Sequence, residues 1–122
     1  MSEMSITLPQ QGALEPGSEI DVDVQWDLDR PTNRLELRLV WNTTGKGDRD
    51  LKVAKTMHIH DPELKGNERL TFILPWGPYS FSGKLISLVW AFELVDVSSD
   101  ASIREEFVLA PGGREVVLLA KR

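Results

Sequence analysis

Hydrophobic and polar residues alternate along several short stretches of the chain. From residue 20 to residue 26 every second residue is apolar, and aspartates and a glutamine occupy the positions between them. Residues 35–41 follow a similar alternation. Because successive side chains of a β-strand point to opposite faces, both stretches predict strands with one buried and one solvated face.

Further segments of this kind follow, separated by turns rich in glycine, proline and asparagine. Residues 42–50 are predicted as an exposed loop, and Lys65-Gly-Asn67 as a turn. The additional strands are predicted at about 51–60, 69–74, 85–95, 103–109 and 115–119, with residues 6–8 as a short edge strand. In the strand at 51–60, Val53, Met57 and Ile59 are expected to share one face, which is the inward one, and Asp61-Pro62 is expected to end the strand. Seven to eight short antiparallel strands and no sustained helical period predict an all-β fold, an immunoglobulin-like β-sandwich.

The alternation also predicts which side chains form the core between the two sheets. Trp41 and Trp90 are the largest members of this set. The full predicted set is Ile20, Val22, Val24, Leu35, Leu37, Leu39, Trp41, Phe72, Leu74, Ile86, Leu88, Trp90 and Phe92.

The predicted strand at 85–95 is apolar on both faces. A sandwich buries one face of each sheet, so Leu85, Val89 and, from the last strand, Val117 are expected to form an outward apolar patch. Such a patch predicts self-association or a protein partner. The alternative is an internal cover, supplied by the loop 76–81 or by residues 6–8.

Composition narrows the possible functions. The chain has 122 residues, which predicts a single domain spanning 1–122, and its net charge of −5 makes a nucleic-acid partner unexpected. It has no cysteine, which excludes disulfides and cysteine metal sites. Neither a signal peptide nor a membrane span is visible, so the expected location is cytoplasmic.

The candidate catalytic and metal-binding groups are few. His58, His60 and Asp61 could approach one ion, but two histidines supply too few ligands, and a solvated strand face is favoured. The carboxylates at 21, 23, 27 and 29 are expected to solvate a face, and Gly45-Lys-Gly-Asp48 lacks the helix of a phosphate loop. The prediction is a non-enzymatic protein with no metal and no cofactor.

An aromatic-rich connection lies between residues 75 and 83. Trp76, Tyr79 and Phe81 alternate there with proline, glycine and serine. Aromatic residues on loops are candidate recognition residues, and they also commonly plug the end of a sandwich. Together with Leu85 and Val89 they form the predicted interaction site.

Three segments resemble the arrestin-like family of immunoglobulin-type sandwiches. They are Gly17-Ser-Glu-Ile-Asp-Val-Asp-Val24, Phe72-Ile-Leu-Pro75 and Pro78-Tyr-Ser-Phe-Ser-Gly-Lys-Leu-Ile-Ser-Leu-Val-Trp90. The resemblance implies a sandwich with an adaptor or scaffold role, although family members usually carry two sandwiches and this chain has room for one. The alternatives are a small-ligand or carbohydrate-binding module that uses Trp76 and Tyr79, and a metal-dependent enzyme that uses the two histidines.

Overall fold

Nearly all the regular structure of the protein is β-strand. The computed structural model describes residues 2–10, 12–45, 51–113 and 116–117. Its elements are β1 (Glu3–Thr7), β2 (Ala13–Leu14), β3 (Glu19–Asp27), β4 (Arg34–Gly45), β5 (Leu51–His60), β6 (Lys65–Ile73), β7 (Phe81–Ser82), β8 (Ile86–Asp96), β9 (Ser102–Leu109), a 3₁₀ turn (Pro111–Gly113) and β10 (Val116–Val117). In this part of the chain, no helix has the length and apolar character needed to cross a membrane.

The strands form two packed sheets, which confirms the all-β sandwich prediction. The smaller sheet has the order β1-β3-β6, and the larger sheet has the order β10-β7-β8-β4-β5. Strand β9 also pairs with β8, and β2 pairs with β9. The long strands are antiparallel, whereas the two-residue strands β2 and β10 pair in parallel with β9 and β7. These parallel pairs differ from the predicted antiparallel arrangement, which is possible because neither pair is joined by a hairpin turn.

The core lies between the sheets and contains most of the predicted set. Val22, Val24, Leu35 and Trp90 are fully buried. Trp41 is partly buried and packs against the core. The prediction for Ile86 is wrong: 46% of its surface is exposed, because it pairs with Gly45 at the end of the sandwich, where little covers it.

Two predicted connections are instead parts of strands. Strand β4 continues through Asn42 to Gly45, so residues 42–45 of the loop predicted at 42–50 are strand; residues 46–50 lie outside the described part. The predicted turn at 65–67 belongs to β6. Glycine at position 66 leaves room for the Trp26 ring, since a Cβ at this position would lie 2.8 Å from that ring. The Trp26 Nε1–H in turn donates to the Glu63 carbonyl at 2.8 Å.

A β-bulge changes the face of the sheet to which each side chain in the first half of β5 points. Met57 pairs with Leu37 and is directed inward, as predicted. The register then shifts opposite Leu39 and Val40, so that Val53 pairs with Val40 on the outer face of the sheet. The prediction that Val53 shares a face with Met57 is therefore wrong, because one extra residue reverses the alternation.

Candidate functional site

Most of the exposed large hydrophobic side chains lie at one end of the sandwich. Eight such residues occur in the described ranges. Six are at the end where β4 leads into β5, β6 leads into β7, and β8 begins, and a seventh, Val53, lies two residues into β5, opposite Val40. The eighth, Leu64, lies at the opposite end, between β5 and β6. We call the seven residues the apolar end: Leu51, Val53, Ile73, Trp76, Tyr79, Leu85 and Ile86.

The aromatic loop at this end is held by hydrogen bonds to both sheets. The buried Trp90 indole N–H donates to the Pro78 carbonyl at 2.6 Å. The Ser80 amide donates to the Leu109 carbonyl at 2.8 Å, and the Leu109 amide donates to the Ser80 Oγ at 2.9 Å. On the other side, the Gly17 amide, just before β3, donates to the Pro75 carbonyl at 3.3 Å. The loop is therefore fixed at several points, although its aromatic side chains are exposed.

Three of the five predicted site residues are brought to the apolar end as exposed side chains. Trp76 is 76% exposed, Leu85 is 70% exposed and Tyr79 is 41% exposed. The six-membered ring of Trp76 lies against Gly17, where a Cβ would have no room. Phe81 differs from the other loop aromatics, because it is partly buried and packs against the core.

Val89, the fifth predicted residue, is partly buried on the outer face of β8 and lines a shallow groove with Glu106 and Val108. The outward apolar patch predicted from Leu85, Val89 and Val117 stays a prediction, with Leu85 exposed and Val89 partly buried. Ala91, the next outward residue of β8, is completely buried. The side chain of Val117 lies outside what the structure describes.

The cover over Ala91 is a polar side chain from β9. The Arg104 guanidinium donates to Glu93 at 2.8 Å and to the Asn42 side-chain oxygen. Asn42 is on β4, and β8 lies between β4 and β9, so Arg104 reaches across β8 above the small Ala91. Of the two predicted covers, residues 6–8 are not placed over this face, because β1 is a strand of the smaller sheet. Ser80 and Ser82, from the aromatic-rich connection, do line the groove beside Val89.

A second charged group surrounds Glu36 on the same outer face. Its carboxylate accepts from Arg38 at 2.7 Å and lies 3.1 Å from the Arg34 Nε, with the His58 ring nitrogen 3.5 Å away. The Arg38 hydrogen bond, together with the neighbouring positive charges, holds the pKa of Glu36 below its ordinary value of 4.5, although burial opposes this effect. Because Glu36 is only 8% exposed, its charged carboxylate is stabilised by these partners in place of water.

Most of the histidines and aspartates that were considered as metal-binding or catalytic candidates lie on solvated strand faces. The His58 and His60 rings are 5.6 Å apart on one face of β5, and the described residues contain no group of three His, Asp or Glu side chains that could hold a metal ion. Asp21 accepts a hydrogen bond from Thr71, and Asp23 is paired with Arg69. These aspartates line the solvated face of the smaller sheet, as expected.

Part of the apolar end was missed by the sequence analysis. Ile73 is 72% exposed, and Leu51 and Ile86 are also exposed. A signal was available in the sequence, because these residues adjoin proline, glycine or the predicted loop. Alternation assigns a face to a side chain, but it does not say where the opposite sheet ends.

No family model and no curated protein matches the sequence. Among solved structures, the fold is similar to that of Spo0M, a sporulation control protein from Bacillus subtilis, with a TM-score of 0.64 and 17% sequence identity. The match covers 88% of this chain and 49% of the Spo0M chain, so this chain corresponds to about half of that protein. The likeness supports the arrestin-like resemblance at the level of the β-sandwich fold.

Proposed function

We propose that this chain is a non-enzymatic protein-interaction or scaffold domain, and that the apolar end is its docking surface. The observation that carries the proposal is the grouping of six of the eight exposed large hydrophobic side chains of the described residues at one end, with Val53 two residues into β5 beside them. Single exposed apolar residues are ordinary on a protein surface, whereas a group of them marks an interaction site.

The construction of the aromatic loop supports this role. Trp76 and Tyr79 project from a backbone that is bonded to β8 through Trp90 and to β9 through Ser80. A partner would therefore bind without first ordering this backbone, which lowers the entropic cost of association. Tryptophan and tyrosine are also among the residues that contribute most to protein interfaces.

The likeness to Spo0M is compatible with a scaffold role. Spo0M is described as a sporulation control protein, which is a regulatory function. Because the similarity concerns the fold, it indicates the kind of domain and leaves the partner open.

The test compares the apolar end with a matched position at the other end. We would remove two exposed side chains in the variant Trp76→Ser plus Leu85→Ser, and use Leu64→Ser as the control, because Leu64 is 47% exposed at the opposite end. Proteins retained from a lysate by the immobilised wild type would be purified and titrated calorimetrically. We expect Leu64→Ser to bind normally and the double variant to lose at least about tenfold in affinity. Equal affinity of the folded double variant and the wild type would contradict the proposal.

The second candidate is a carbohydrate-binding or small-ligand module. It is favoured by one observation, that Trp76 and Tyr79 are exposed on the same anchored loop and could offer flat stacking surfaces. A glycan array would separate the two functions. Binding of a sugar that is lost in Trp76→Ala and kept in Leu85→Ser would favour this module over a protein-docking surface.

A further inference from the structure

Strand β5 forms a long edge of the larger sheet, away from the aromatic loop. It pairs with β4 on one side, and within the described residues no strand pairs with its other side. Of its ten residues, Ile59 is the buried one, and most of the others are exposed. An edge strand presents a row of backbone N–H and C=O groups that a further strand could pair with.

This edge is positively charged in a protein whose net charge is −5. The segment Leu51–His60 contains two lysines and both histidines of the chain, and it has no Asp or Glu. The edge strand of the smaller sheet, β6, is different: it carries Glu68 as well as Lys65 and Arg69, and Arg69 is already paired with Asp23. The absence of acidic residues therefore distinguishes β5 from β6.

The bulge in β5 places its two lysines on one face. Lys55 follows Lys52 by three positions, and in a regular strand this spacing would direct the two side chains to opposite faces. Here Lys55 pairs with Leu39 and Lys52 pairs with Trp41, and Leu39 and Trp41 share the inner face of β4. Both lysines are exposed. They consequently form a row that an acidic side chain on a neighbouring strand could reach.

The second half of β5 is the part suited to pairing. From Thr56 to His60 the register with β4 is regular, and this stretch contains no proline and no lysine. Natural sheets protect their edges with lysines and bulges, and in β5 both features are confined to the first half. The segment Thr56–His60 is left as a regular, unprotected edge.

We propose that β5 binds an extended acidic segment of a partner protein by strand addition. The main chain of the segment pairs with Thr56–His60, and where the segment continues past Thr56 its carboxylates meet Lys55 and Lys52. A second copy of this chain fits less well, because two β5 strands of the same charge would then lie side by side. The paired stretch Thr56–His60 lies outside the apolar end, whereas Lys52 lies between its members Leu51 and Val53. The proposal rests on the charge and register of β5 and does not depend on the aromatic loop.

The first experiment uses a labelled peptide of alternating valine and glutamate, with a peptide of alternating valine and lysine for comparison, and measures fluorescence anisotropy. We expect the glutamate peptide to bind at least about tenfold more tightly. The variant Lys52→Glu plus Lys55→Glu should abolish this preference, whereas Lys65→Glu on β6 should keep it. Equal affinity for the two peptides, or no binding of either, would overturn the proposal.

Two further measurements test main-chain pairing and the identity of the occupant. A glutamate peptide with N-methyl groups on alternate amides keeps its side chains but loses backbone donors, and it should bind at least about tenfold more weakly if a strand is added. Undiminished binding would refute strand addition. Sedimentation equilibrium should give a monomer, and a dimer that is dissociated by Lys52→Glu plus Lys55→Glu would assign the edge to a second copy instead.

Discussion

The sharpest stability test compares two tryptophans that face each other across β4 and β8. Trp41 and Trp90 are directly paired, with ring centroids 6.3 Å apart, but Trp90 is completely buried and Trp41 is partly buried. Trp90 also donates its indole N–H to the Pro78 carbonyl at 2.6 Å. The two residues are identical in chemistry and similar in location, so they differ mainly in burial and in this hydrogen bond.

We expect Trp90→Phe to lower the free energy of unfolding by about 1–3 kcal/mol, because the Pro78 carbonyl loses its donor and the ring becomes smaller. Trp90→Ala should cost about 3–5 kcal/mol, and Trp41→Phe less than about 1 kcal/mol. Urea unfolding followed by circular dichroism measures all three. Hydrogen exchange at the Ser80 amide, which donates to Leu109, should accelerate in Trp90→Phe.

The reasoning would be refuted if Trp41→Phe destabilised the protein as much as Trp90→Phe. It would also fail if Trp90→Phe left both the stability and the Ser80 exchange rate unchanged. In the first case, the burial difference between the two rings would have no energetic consequence. In the second, the bond to Pro78 would not anchor the loop.

Three other changes test the packing and charge arguments. Gly66→Ala should lower the free energy of unfolding by about 1–3 kcal/mol, because the added Cβ would meet the Trp26 ring. In the same urea assay, Asn67→Ala at the exposed neighbouring position should change it by less than about 0.5 kcal/mol. Arg104→Met should lower the free energy of unfolding by about 1–3 kcal/mol, because the partly buried Glu93 loses its cation. Arg69→Met removes an exposed ion pair, and an equal or greater loss of stability in that variant would contradict the argument. Glu36→Gln should be less stable than the wild type at neutral pH. Since the folded-state pKa of Glu36 is lowered, the wild-type advantage should decline as the pH falls below 4.5, and an advantage that does not depend on pH would contradict this.

The sequence alone was sufficient to predict the class of fold and most of the residues in the core. Alternation in β3 and β4 identified the inward faces correctly, because the two-residue period of a strand is a local property of the backbone. Asp61 and Pro62 likewise predicted the end of β5, which the structure places at His60. The aromatic loop could also be recognised from its composition.

Only the tertiary structure decided where these faces are covered. Ile86 has the correct alternation for the core but lies at the end of the sandwich, and Ala91 points outward but is buried beneath Arg104. The bulge that reverses the facing of Val53 depends on the register with β4, which no local pattern specifies. Burial is set by contacts between residues far apart in the sequence. Only the assembled sheets therefore show where the apolar end stops and that Lys52 and Lys55 share a face.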